Sequence, residues 1–208
     1  MTSSGTASED AAPRSADVRR VTKETEVRVH LALGRGGPVS VSTGLPFFDH
    51  MISQLGTHGG FALDVSASGD LEVDAHHTVE DVGLALGQAL RSALGDKAGA
   101  RRFASVSVPL DEALCDVALD LSGRPFLLYD VELPPDSGPL GSPSFEPQLA
   151  EEFWRAFASE AALTLHVALR YGRNPHHIIE CSFKAVARAL REAVRVEGGD
   201  VPSTKGAL

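Results

Sequence analysis

HHTVEDVGLALGQALR, residues 76–91, and HHIIECSFKAVARALR, residues 176–191, decide how this chain is built. Both carry His-His, a Glu four residues after the first His, and Ala-Leu-Arg, with each shared position one hundred residues on. Self-similarity at a fixed spacing is the mark of an internal repeat. Each stretch also reads as a helix. The first runs from about Ala75 to Leu94 with Val79, Val82, Leu86, Leu90 and Leu94 on one face and Gly95 beyond it. The second opens with Asn174 as cap and Pro175 at its first position, and carries Ile179, Phe183, Val186, Leu190 and Val194.

Upstream of the first helix, Val27, Val29, Leu31 and Leu33 alternate with polar residues, and the glycine-rich run at 34–37 reads as a hairpin turn into Val39 and Val41. Pro46 opens a short helix through Phe47, Met51 and Leu55 that Gly56 would stop. Phe61, Leu63 and Val65 alternate next, and after Gly69-Asp70 so do Leu71 and Val73. The second half repeats the plan. A strand through Cys115, Val117, Leu119 and Leu121 turns at Gly123-Arg124-Pro125 into FLLYDVEL. A stretch from Pro134 to Pro147 holds five of the twelve prolines and reads as an irregular excursion. A helix through Leu149, Phe153 and Phe157 and a strand through Leu163, Leu165, Val167 and Leu169 follow. The fold class is therefore α+β, made of two βα half-domains. Residues 1–17 are poor in apolar side chains and are expected to form a disordered tail.

The composition limits what this fold can do. The net charge is -9, and no basic run reaches five residues, which argues against a grip on nucleic acid or an anionic membrane. An anionic ligand must then be caught locally, by a few placed Arg or Lys. Cys115 and Cys181 make no CxxC spacing, and the start of the chain has no apolar signal core, so the reading is a reduced, cytoplasmic protein.

The histidines carry the chemistry. In a helix, the first His and the Glu of HHxxE share one face, while the second His points about a third of a turn away, so one helix can address two metal centres. Imidazole and carboxylate without thiolate suit Mn2+, Fe2+ or Zn2+. A lone His-His pair is equally well a solvated helix start; two at equivalent points of a repeat argue for a shared role. His50 and Glu152, matched by the duplication of the short helices, would each stand beside its own HHxxE helix. Arg102, Arg124, Lys184, Ser203, Thr204 and Lys205 are candidates for holding phosphate at turns or element ends. Glu24 on an early strand, Asp49, Asp81, Asp111 and Glu112 are candidate acid-base groups that spacing does not rank.

RVTKETEV, STGLPFFDHM, DAHHTVEDVGLALG, ALGDKAGARRF, PLDEAL, DLSGRP, NPHHIIECSFKAVARALR and PSTKGAL occur in that order, and with them the chain resembles the imidazoleglycerol-phosphate dehydratase family of histidine biosynthesis from about Val18 to Leu208. The resemblance implies a fold of the ribosomal protein S5 domain 2-like class, duplicated, each half a four-stranded sheet with helices on one face. The halves would cover about residues 18–100 and 101–198, with a substrate-binding tail at 199–208. It also implies a homo-oligomer of 24 subunits with two Mn2+ per active site at subunit contacts. A lone subunit would be inactive.

Carried over by position, the metal ligands are His50, His76, His77, Glu80, His176, His177 and Glu180, with Glu152 where some relatives have His. Glu24, His58, Arg102, Arg124, Lys184, Ser203, Thr204 and Lys205 would face the substrate, together with His50, His76, His77 and His176; Arg102, Arg124, Ser203 and Lys205 would hold its phosphate. The implied reaction removes water from imidazole glycerol phosphate to give imidazole acetol phosphate. A metal-bound imidazolate would expel the hydroxyl through a diazafulvene, and Glu24 is the candidate for taking the carbon-bound proton, with a metal-bound water or a group of the ligand shell as the alternative. The same residues could instead serve a two-metal hydrolase, or a non-catalytic assembly bridged by metal.

Overall fold

The computed structural model describes residues 14–34, 36–206 and 208. Strand β1 (Ser15–Val21) pairs antiparallel with β2 (Thr25–Ala32), and β2 pairs antiparallel with β4 (Ala62–Gly69). On the far side of β4, β3 (Val39–Ser42) lies parallel to it, giving the order β1-β2-β4-β3. The second half reproduces this order with β5 (Phe103–Leu110), β6 (Ala113–Asp120), β7 (Phe126–Asp130) and β8 (Thr164–Tyr171), as β5-β6-β8-β7. Helix α1 (Pro46–Gly59) links β3 to β4, and α2 (His76–Leu94) follows β4. Helices α3 (Leu149–Ala161) and α4 (Pro175–Ala193) hold the same places in the second half. A duplicated α+β architecture is thus present.

The alternation in β2 has its expected cause: Val27, Val29 and Leu31 are buried while their neighbours face outward. Helices cover one face of each sheet, α1 and α2 the first and α3 and α4 the second, and the two helical layers meet in the middle. Short helix packs on long helix of the other half, α1 on α4 and α2 on α3. Phe48, Phe145, Phe153, Trp154 and Phe183 fill the space between them with no exposed surface. Burying each such ring stabilises the fold by roughly 1.5–3 kcal/mol.

Several expectations need correction. The run at 34–37 does not close a hairpin, because β2 and β3 flank β4 instead of pairing. A parallel neighbour needs a crossover, which α1 supplies. Gly37 passes so close to Ala62 that a side chain would lie 2.6 Å from its Cβ, which is what the glycine there permits. Gly56 does not stop α1; it packs against Val39, and the helix ends at the left-handed Gly60. Leu71 and Val73 lie in a turn, not a strand. The tail expected over 1–17 is too long: Ser15–Asp17 already belong to β1, where Ala16 packs on the core; residues 1–13 lie outside the described residues. Strand β5 escaped the sequence reading, its inward Val106 and Val108 being separated by serines and prolonged into Pro109. The proline-rich stretch forms no helix or strand, yet Phe145 from it is buried against Phe47 and Phe48. Among the described residues no helix is long and apolar enough to cross a membrane.

Candidate metal and substrate site

The start of α4 is set by its cap: the Asn174 side chain accepts the His176 N–H at 2.9 Å, and Pro175 occupies the first turn. This places His176 and Glu180 on one face. His176 Nε2 lies 3.0 Å from Glu180 Oε2, and His50 Nε2, from α1, lies 3.4 Å from the same oxygen. These three donors fall within 4.8 Å of one another, the one such group among the described residues. Phe47 meets the His176 ring edge-on at 5.2 Å and is itself backed by Phe145, so the proline-rich stretch buttresses this cluster.

The geometry corrects the pairing expected from the repeat. His50 stands beside the HHxxE helix of the other half, because the halves bury their helices against each other and α1 runs alongside α4, start to start. Glu152 likewise lies on α3, which packs on α2. Its nearest charged partner is Arg155 at 3.9 Å, and it is not gathered with His76 and Glu80, themselves 3.9 Å apart.

The second His of each pair points elsewhere, as the helical spacing requires. His77 Nδ1 donates to Asp70 at 3.1 Å, and His177 Nδ1 to Glu112 at 2.8 Å. A carboxylate on Nδ1 fixes the ring and leaves Nε2 free to ligate. These bonds raise both imidazoles above their ordinary range, and Glu112, which accepts from His177 and from the Asn174 N–H, is held down at about 2. Burial disfavours ionised Glu180, but Lys184, which donates to its Oε1 at 2.7 Å, and the two histidines outweigh it and keep it charged. Glu112 is therefore a histidine partner, not a free acid-base group. Asp70 was not foreseen; it follows the strand-ending Gly69 in the turn before α2, a place where sequence shows no ligand spacing.

Glu24 lies in the bend between β1 and β2, not on a strand, with its carboxylate exposed and 4.0 Å from His77 Nδ1. Behind it, Thr25 donates to the buried Asp81, which also accepts from Arg20 at 2.7 Å. Asp81 thus pins the bend. Asp49 accepts the Thr43 N–H and hydroxyl at 2.8 and 2.6 Å, so it too is spent on structure, while Asp111 reaches His177 only at 3.8 Å.

The phosphate candidates divide. Arg102 is held by Asp120 at 2.6 and 3.0 Å and by the Pro202 carbonyl at 2.7 Å, which draws the tail carrying Ser203, Thr204 and Lys205 beneath it. Among the described residues the Arg124 guanidinium makes only a 3.4 Å contact to the Ser122 carbonyl, and Leu208 closes on Gly123 beside it. Lys184 is mid-helix, not at an element end; with His58 and Arg188 it lines a separate cavity of about 590 Å³. Burial and then the Lys184 and Arg188 charges lower the His58 imidazole. The Arg102 N–H bonds the Ala193 carbonyl at the far end of α4, so within one chain Arg102 lies roughly 25 Å from His176 at 1.5 Å per residue.

Residues 43–190 match the sequence model of a family described as imidazoleglycerol-phosphate dehydratase. The proteins of that name from Acidothermus cellulolyticus and Anaeromyxobacter dehalogenans are 57% and 54% identical to this chain, with 94% and 95% of it aligned and 94% of each relative. Crystal structures of imidazoleglycerol-phosphate dehydratase from Staphylococcus aureus and from Pyrococcus furiosus are similar at TM-scores of 0.76 and 0.77. They share 34% and 35% identity, covering 86% and 92% of this chain and 98% and 100% of theirs.

Proposed function

The chain belongs to the imidazoleglycerol-phosphate dehydratase family, hydro-lyases of histidine biosynthesis, and from that premise we propose that its two HHxxE helices hold two Mn2+ per active site around the imidazole ring of imidazole glycerol phosphate. The observation that carries this reading is the convergence of His50, His176 and Glu180 within 4.8 Å. A metal fits these residues. The donors are imidazole nitrogen and carboxylate oxygen, Oε2 of Glu180 faces both rings while Lys184 occupies the other oxygen, and His77 and His177 keep Nε2 free. His50, His176, His177 and Glu180 would serve from the second half's helix and its neighbour, and His76, His77, Glu80 and Glu152 from the first.

The reaction breaks two bonds: the hydroxyl leaves the carbon attached to the ring, and a proton leaves the next carbon along. The resulting enol becomes the ketone of imidazole acetol phosphate. That proton is not acidic in the free substrate, so the ring must accept negative charge. Metal held by the His and Glu donors would supply the Lewis-acid charge that stabilises negative charge on the ring.

The chain's own groups do the rest. Glu24 is exposed beside His77 and takes the carbon-bound proton. Arg124 and the tail residues Ser203, Thr204 and Lys205 close on the phosphate, over an Arg102 whose fork is fixed by Asp120 and Pro202. His58 and Lys184, which share a cavity beside Glu180, would face the substrate. Because these groups are spread along the chain, the working form is a homo-oligomer, which we take as 24 subunits in the cytoplasm. Its single catalytic unit begins at β1 and runs through two repeats to a substrate-binding tail.

Removing metal from the purified enzyme with a chelator should abolish dehydration of imidazole glycerol phosphate, and Mn2+ should restore it with two ions per chain. Glu180→Gln should lose one of the two, and Glu152→His should keep both. Full turnover in metal-free enzyme would overturn the reading.

A further inference from the structure

A second basic cavity, of about 650 Å³, lies at the opposite end of α1 and α4 from the His50 cluster, lined by Arg14, Gly34, Gly60, Arg191, Glu192 and Arg195 among others. Its place in the fold is not arbitrary. The Arg14 carbonyl accepts the Leu33 N–H at 2.9 Å just as the Arg102 carbonyl accepts the Leu121 N–H at 3.1 Å, and each arginine immediately precedes the first strand of its sheet. Gly34 and Gly36, with φ of 81° and 60°, then occupy the loop that Ser122–Arg124 occupies after β6. The cavity is therefore the first half's counterpart of the proposed phosphate loop.

One difference decides its chemistry. In the sheet registers Ser15 pairs with Ala32 and Phe103 with Asp120, so Ala32 stands where the carboxylate that neutralises Arg102 stands in the second half. Arg14 donates to the Val194 carbonyl at 2.7 Å, and no carboxylate among the described residues pairs with it. Glu192, the cavity's acidic lining residue, is taken by Arg101 and Arg195, both at 3.1 Å, and Arg191, reaching over Gly60, has no acidic partner among the described residues. Arg14 is half-buried and its guanidinium without a counter-charge is costly, while the exposed Arg191 converges on the same cavity; together they call for an anion from outside. The volume suits a small molecule.

We propose that this cavity is a second anion site, taking a phosphate group, free or as a monoester, between Arg14 and Arg191. The argument by symmetry rests on the reading of Arg102 and Arg124 as the substrate-phosphate site, and the test separates the two. Inorganic phosphate is titrated calorimetrically into the Mn2+-loaded, full-length enzyme at fixed ionic strength. Wild type should bind two equivalents per chain. Arg191→Gln should lose one, at least tenfold in affinity, with kcat and KM for the substrate unchanged. Ala32→Asp, which supplies the missing carboxylate and keeps both arginines, should lose the same equivalent, so a poorly folded Arg191→Gln does not leave the matter open. Arg124→Gln should lose the other equivalent and turnover with it. Two unaltered equivalents in Ala32→Asp, or a single one in wild type that Arg124→Gln removes, would refute the second site. An Arg124→Gln enzyme with normal KM would refute the phosphate loop and leave the Arg191 and Ala32 results standing.

Discussion

Glu24 shows how far a residue's role depends on what holds it. Its bend is fixed by Thr22, whose hydroxyl accepts the Glu24 and Thr25 N–H groups at 3.1 and 3.0 Å, and by Thr25 bonded to the buried Asp81. An exposed carboxylate on so constrained a bend can be neutralised without disturbing the fold. Glu24→Gln should keep the assembly and its metal content while kcat falls by about 10²–10⁴, the usual worth of a positioned general base. Near wild-type kcat in that variant would remove Glu24 from the reaction. At this scale the paired histidines were readable from sequence, because helical spacing alone sends His176 and His177 to different faces. The partners of the second histidines were not. Asp70 and Glu112 reach His77 and His177 from turns whose position only the folded sheets define. For the same reason Asp49, Asp81 and Glu112 looked like free acids in the sequence and prove to be spent on Thr43, Thr25 and His177.

Helices were readable as elements because each carries a continuous apolar stripe and its own punctuation, such as Asn174-Pro175 before α4. Strand partners were not, since β3 and β7 are edge strands whose parallel pairing depends on a helix crossing between, and alternation says nothing of which neighbour a strand chooses. Nor did periodicity reveal which helix faces which. The swap of partners, α1 on α4 and α2 on α3, is enforced by small residues. A Cβ on Gly87 would meet the Phe157 carbonyl oxygen at 2.5 Å, and one on Gly83 the Phe153 carbonyl oxygen at 2.8 Å, so α2 can approach α3 this closely only without side chains there. Backbone cannot move aside as a flexible side chain can. Gly87→Ala should therefore destabilise the protein by about 1–3 kcal/mol despite alanine's better helix propensity, read as a lowered midpoint in chemical denaturation. An unchanged or raised midpoint would show that α2 and α3 are not locked at this contact.

At the scale of the molecule, the groups proposed to meet one substrate lie far apart in one chain. His50, His176 and Glu180 gather at the start of α4, whereas Arg102 bonds the carbonyl of Ala193 at its end, roughly 25 Å away at helical rise. From ring nitrogen to phosphate the substrate is about as long as two or three extended residues, roughly 10 Å. No bending of a single subunit closes that gap, because α4 is a continuous helix clamped between β5, β6 and α1. If the site is as proposed, the metal ligands and the phosphate loop come from different copies, which would give a homo-oligomer a catalytic reason as well as a structural one. The consequence can be measured by mixing. On the proposed function His176→Ala removes a metal ligand and Arg124→Gln a phosphate contact, so each variant alone should be inactive. If the two variants are dissociated, combined and reassembled, some sites pair the intact metal face of one with the intact phosphate loop of the other. For a site built from two independently drawn subunits, equal mixing should return about a quarter of wild-type activity, by the same mass-action reasoning that ties obligate oligomers to their partners. Mixtures as inactive as either parent would mean that both faces serve the substrate from one chain, and would require α4 to break.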